Sequence, residues 1–120
     1  MAVKTIKELI DMKAGFEEKR NKVYTLKTKE LGEVKYKLAS RTEVIQVQDM
    51  GKEDIDPYLI YTHVVEPKLN DTELQKAYQM TGIEPFKIID KLFSISDIGD
   101  LSLAIIGRGK DNDVVKTIKN

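Results

Sequence analysis

The chain has three prolines, Pro57, Pro67 and Pro85, and all of them fall between residues 54 and 106. Proline has no amide hydrogen and a nearly fixed φ, so it is tolerated at the start of a helix and disfavours helix at the residue before it. Helices in this stretch must therefore begin or end at these points. Asp56 is a good N-cap and Pro57 fits the first helical position, where the missing N–H has no partner anyway. Tyr58, Leu59, Ile60, Tyr61, Val64 and Val65 are apolar over a wide arc, which predicts the central and most buried helix. Glu66, placed before Pro67, ends it.

The same punctuation continues. Asp71 caps a further helix with Glu73 in its first turn, where the macrodipole favours an acid. Its inner stripe is Leu74, Ala77, Tyr78 and Met80, and Gly82 is the expected terminator. Pro85 opens the next helix, with Phe86, Ile89, Leu92 and Phe93 inward. Ser94 or Ser96 caps the last, whose face is Ile98, Leu101, Ile105 and either Ala104 or Ile106 and whose stop is Gly107.

The first third of the chain reads differently. Val3, Ile6, Leu9, Ile10 and Phe16 recur at near-helical spacing, which predicts an amphipathic helix over 3–13 with an extension to 20, weakened by Gly15. Glu17 to Arg20 reads as a solvated face, since acids neutralise the bases. Residues 23–28 favour a strand through their valine, tyrosine and threonine content. Val34, Tyr36 and Leu38 alternate with Lys35 and Lys37, the pattern of a half-buried antiparallel strand over 34–38. Residues 29–32 connect the two, with Gly32 free to take positive φ. A lone two-stranded hairpin is not stable, so this one must lie on the helices or pair with another chain. Ser40 and Glu43 have the spacing of a capping box, which starts a helix over 41–50.

These readings give a mainly α chain with a small β-hairpin (α+β): a compact bundle of about five short helices plus an N-terminal two-stranded antiparallel hairpin at about 23–38. Residues 1–107 form the expected single domain. From Arg108 to Asp113 the chain turns polar and reads as a linker, and Val114, Val115 and Ile118 form a small apolar cluster in a tail at 108–120. That cluster is expected either to engage a partner or another copy of the chain, or to fold back onto its own domain.

Composition excludes several classes of function. There is no cysteine, so disulfides, thiolate metal sites and thiol catalysis are absent, and the single histidine rules out a multi-histidine metal site within one chain. Twenty basic residues balance twenty acidic ones, which is a poor basis for coating nucleic acid. No apolar run approaches the ~20 residues of a membrane span, and no secretory signal is expected at the N-terminus. A cytoplasmic protein is expected, with no membrane partner.

No catalytic motif emerges. His63 has no nucleophile motif beside it, and there is no Gly-x-Ser-x-Gly or His-Glu-x-x-His. Gly107 to Lys110 lacks the spacing of a phosphate-binding loop, and Asp111 to Asp113 lacks the glycine and distal glutamate of a calcium loop. The expectation is a protein that is not an enzyme and needs no cofactor or metal. Tyr58, Tyr61 and Tyr78 are candidate partner anchors, since tyrosine is favoured at interfaces, although core packing with the hydroxyl at the edge is the commoner use of such residues. Val65, Leu69, Val114, Val115 and Ile118 complete the candidate contact set.

The order of these segments resembles a known family. An N-terminal helix is followed by a short strand pair and by 40–50. Then come Tyr61 to Leu69, Asp71 to Tyr78, Glu84-Pro85 through Phe93, Ile98 to Leu101, and the ending at 114–120. This order and spacing is similar to that of the XkdN-like phage tail assembly chaperones, from phages and prophages of Gram-positive bacteria. The segment 64–78 is the most specific part. Gln79-Met80 departs from the pattern, since relatives often place glycine sooner. The resemblance implies a host-cytoplasmic protein that binds the tape measure protein during tail assembly and is absent from the finished virion. It implies no catalytic residues. The tail tube protein is a second candidate partner and self-association a third. Two other classes stay open: a structural tail or head–tail connector subunit, and a small nucleic-acid-binding regulator, which the neutral charge argues against.

Overall fold

The computed structural model describes residues 3–80 and 83–108. In chain order the elements are α1 (Ile6–Asp11), α2 (Lys13–Asn21), β1 (Tyr24–Thr28), β2 (Gly32–Tyr36), α3 (Arg41–Val47), α4 (Lys52–His63), β3 (Val64–Glu66), α5 (Thr72–Ala77), a 3-10 turn (Pro85–Ile88), α6 (Ile89–Leu92) and α7 (Ile95–Ile105). This is an α+β fold with a three-stranded antiparallel sheet in the order β1-β2-β3.

The expected hairpin forms, with Leu26 opposite Val34 and Thr28 opposite Gly32. Gly32 has φ +72°, the left-handed conformation that only glycine adopts cheaply. The second strand is shifted from the expected 34–38 to Gly32–Tyr36, because Lys37 already turns to donate its N–H to the His63 carbonyl. The pairing that a two-stranded hairpin needs comes from within the chain. Val64 and Val65, expected in the central helix, instead leave it and pair with β2 as β3. Both are β-branched, and Pro67 forbids the helix to continue, so an extended path beside β2 satisfies the backbone better. Lys35 and Glu66 add a cross-strand ion pair at 3.4 Å.

The central helix also starts elsewhere. Asp56 is not its N-cap; α4 begins at Lys52 with Gly51 in the capping position, and Pro57 is its sixth residue. The first amides of a helix have no intrahelical acceptor, so proline one turn beyond them removes only one ladder bond. Glu53 and Asp54 supply the first-turn acids. Asp56, released from capping, accepts a 2.7 Å hydrogen bond from Ser102 Oγ and so ties α4 to α7. The expectation of a central helix holds, since α4 packs on α3, α6, α7 and the 3-10 turn.

Elsewhere the caps act as their residues suggest. Ser40 Oγ accepts from the Glu43 N–H at 3.1 Å while Glu43 Oε1 accepts from the Ser40 N–H at 2.8 Å. The helix they start ends at Val47, three residues short of expectation. Asp71 caps α5 and Ser94 caps α7 through the N–H groups of Leu74 and Asp97. Gly107, at φ +79°, closes α7 with the paired bonds Arg108 N–H to Leu103 and Gly107 N–H to Ala104. The end of α5 differs from the sequence expectation. Gln79, at φ +57°, takes the left-handed position that Gly82 was expected to fill, with Met80 N–H bonded to Gln75 and Gln79 N–H to Lys76. Gly82 lies outside the described residues. Because α5 stops at Ala77, Ala77 and Tyr78 face solvent, and only Leu74 and Met80 turn inward.

The core lies between the sheet and the α4–α7 layer. Val34 and Tyr36 from β2 meet Ile60, Val64, Leu69, Met80, Ile88, Ile89, Phe93, Leu101 and Ile105. Tyr24 stacks on Tyr36 with ring centroids 5.7 Å apart, and burial pushes the Tyr36 phenol up to about 12. The hairpin turn is pinned to α7 by the buried Asp97 carboxylate, which accepts the Lys29 N–H at 2.8 Å. Ala39 N–H reaches the Ile105 carbonyl at 2.9 Å and fixes the other end of the sheet.

The N-terminal helix departs most from expectation. Its apolar stripe reads as a face to be buried, yet neither α1 nor α2 has a buried residue. The break lies at Met12 rather than at Gly15. The principal contact of each of these two helices is with the other.

Candidate partner surface

Three surface features could carry function. The first is the N-terminal arm formed by α1 and α2. A complete capping box starts it: Thr5 Oγ1 accepts from the Glu8 N–H and Glu8 Oε1 from the Thr5 N–H. Met12 joins the two helices: its N–H bonds back to Glu8 and closes α1, and its C=O accepts from Phe16 N–H and opens α2. Ile6 is 72% exposed and Ile10 66%, with Leu9 and Phe16 nearly half exposed beside them. Four large apolar side chains on so short an arm approach the few hundred Å² (roughly 300–600) above which an exposed patch on a monomer is usually functional.

The second feature is the outer side of α7, where Ile95 (91% exposed) and Leu103 lie two turns apart. The third is a cleft of about 390 Å³ between α3 and α4, lined by Glu43, Gln46, Val47, Met50, Tyr58, Leu59, Thr62 and His63. His63 is 7% exposed. Its Nε2 is 3.1 Å from Glu43 Oε1, and its Nδ1 is 3.0 Å from both the Leu59 carbonyl and Thr62 Oγ1. Both ring nitrogens are thus engaged, and the ring acts as a clip between α3 and α4. The Ser40 N–H, and after it His63, hold the Glu43 carboxyl below its usual range. Among the described residues no three His, Cys, Asp or Glu side chains cluster closely enough to hold a metal ion.

The candidate contact residues separate into groups. Tyr58 is partly exposed and packs edge-on against Phe86, centroids 5.5 Å apart. Tyr61 is half-buried against the core. Val65 and Tyr78 are exposed, on β3 and just past α5. Leu69 is a core residue, 2% exposed, held where Gln75 Nε2 donates to its carbonyl at 2.8 Å. Val114, Val115 and Ile118 lie outside the described residues. Sequence reasoning misses Ile6, Ile10, Ile95 and Leu103 as surface features. Their helical spacing is visible, but whether anything covers them is a tertiary property.

No protein-family model matches this chain, and neither does any curated protein or solved structure. Among the described residues no helix is long and apolar enough to cross a membrane.

Proposed function

We propose that this chain is a phage tail assembly chaperone of the XkdN-like kind, which binds the tape measure protein in the host cytoplasm, keeps it soluble, and leaves before the virion is complete. The observation that carries the proposal is the uncovered apolar stripe of α1 and α2, offered by a domain whose core is otherwise closed. The resemblance of segment order across the chain supports it. A tape measure protein is a long helical chain with apolar stripes that aggregate until the tail tube encloses them. A chaperone for it needs an apolar surface and ready release, and no chemistry. The role is therefore non-catalytic. The test is co-expression with the cognate tape measure protein. The expected result is a higher soluble yield and co-purification of the two chains. Unchanged solubility and no complex, with both proteins well expressed, would overturn the proposal.

A structural tail or connector subunit is the second reading, favoured by the outer edges of β1 and β3, which pair with no described strand. Finding the chain in purified particles would decide for it.

A further inference from the structure

We propose that residues 114–118 of the same chain cover the outer side of α7. This contact is independent of the chaperone reading. Ile95 and Leu103 are 91% and 48% exposed. At 1.5 Å per helical residue they lie about 12 Å apart along the axis. Gly99 falls between them at i+4 from each neighbour, and a methyl group placed on it would meet nothing within 4 Å. Half-buried Ile106 continues the strip, and Ser96 and Asp100 are exposed along its rim.

The end of α7 aims the chain at this strip. Gly107 takes φ +79°, and the Arg108 N–H bonds to the Leu103 carbonyl. Such a closure brings the residues past a helix back beside its last turn, here beside Leu103. Five residues, 109–113, span up to about 17 Å, so Val114, Val115 and Ile118 can reach any part of the strip. These three are the only large apolar residues beyond Arg108. The charges also match. Residues 114–120 carry Lys116 and Lys119 and no acid, whereas α7 carries Asp97 and Asp100 and no base. Asp97 is engaged with the Lys29 N–H, but Asp100 pairs with no described cation. Between them, Arg108 to Asp113 holds two bases and two acids, which cancel. An apolar strip rimmed by a carboxylate thus meets an apolar cluster flanked by ammonium groups.

Another copy would offer the same cluster. Three aliphatic residues, however, bury far less than the roughly 1,200 Å² of a stable interface between separate chains. Tethered by five residues, the cluster acts at an effective concentration of about 1 mM, which suits so small a contact.

The experiment uses the full chain. Because the chain has no cysteine, Thr117→Cys supplies a unique thiol for a nitroxide label. Paramagnetic broadening of backbone amides is then read by NMR. The expected result is broadening at Ile95 and Gly99 at least five-fold greater than at Ile6 to Asp11. Leu103→Lys should abolish the broadening at Ile95. Asp100→Lys should reduce it at least three-fold, and Lys116→Glu with Lys119→Glu added to Asp100→Lys should restore it. Leu103 and Asp100 are exposed, so unchanged amide shifts in β2 and α4 should show that the fold is kept. No broadening at Ile95, or broadening greater on α1 than on α7, would overturn the proposal. Broadening at Ile95 that survives Leu103→Lys would do the same, since it reports the tether and not a contact. Labelled chains without nitrogen-15 mixed with unlabelled nitrogen-15 chains give the last arm. Equal broadening there would make a second copy the occupant and would equally overturn the proposal.

Discussion

Leu101→Ala and Ile10→Ala remove comparable aliphatic groups from two helices, and the structure predicts opposite outcomes. Leu101 is fully buried in α7, between α4 and the sheet. Its truncation forfeits transfer free energy and leaves a cavity that neighbouring helices only partly close, at a cost of about 3–5 kcal/mol. A domain of this size is stable by only about 5–15 kcal/mol, so the variant is expected to lose from about a fifth to all of that margin. Ile10 is 66% exposed. Its truncation removes little buried area, and alanine is the better helix former by a few tenths of a kcal/mol, so stability should change by less than about 0.5 kcal/mol. Urea denaturation followed by circular dichroism measures both, with the slope checked for constancy. Two protein concentrations separate folding from association. A loss above about 1 kcal/mol in Ile10→Ala, independent of concentration, would show that the arm packs on the body. That result would remove the basis for treating it as an uncovered surface.

Other perturbations address single interactions. Ser102→Ala breaks the 2.7 Å bond to Asp56 Oδ1 and leaves a part-buried carboxylate short of a donor, at about 1–3 kcal/mol; a cycle with Asp56→Asn isolates the pair. Gln79→Gly relieves a left-handed non-glycine residue and should raise stability by up to about 1 kcal/mol, read as a higher urea midpoint. Gly107→Ala, at φ +79°, should lower it by a similar amount of about 1 kcal/mol. Glu43 sits below its ordinary value of 4.5 when folded. Its contribution is therefore complete above that pH and is lost as pH falls through the lower folded value. The stability gap between the parent and Glu43→Gln should accordingly hold from about pH 7 to about 4.5 and narrow below it. A gap that widens on acidification would refute this account of the Ser40–Glu43–His63 contact.

Local chemistry made much of the fold legible. The caps at Ser40, Asp71 and Ser94 are side-chain oxygens bonding amides three residues on, a purely local event that sequence displays. The alternation at Val34 and Tyr36 named the inner face of β2 correctly, since a strand must place alternate residues on one side. Gly107 and Gln79 show the boundary of such reasoning. The same paired hydrogen bonds close both α7 and α5, yet only the glycine announces itself.

What tertiary structure alone decided involves residues whose local preferences conflict. Val64 and Val65 suit a helix face by position and a strand by shape, and the free edge of β2 settled the choice. Asp56 suits a cap, but Ser102, 46 residues away, gave it a different partner. The arm is the clearest case. Its sequence specifies an amphipathic helix, and the helix forms. Whether an apolar stripe is core or surface depends on whether other elements have area left to cover it. Here α4, α7 and the sheet close their core against one another, leaving Ile6 and Ile10 uncovered.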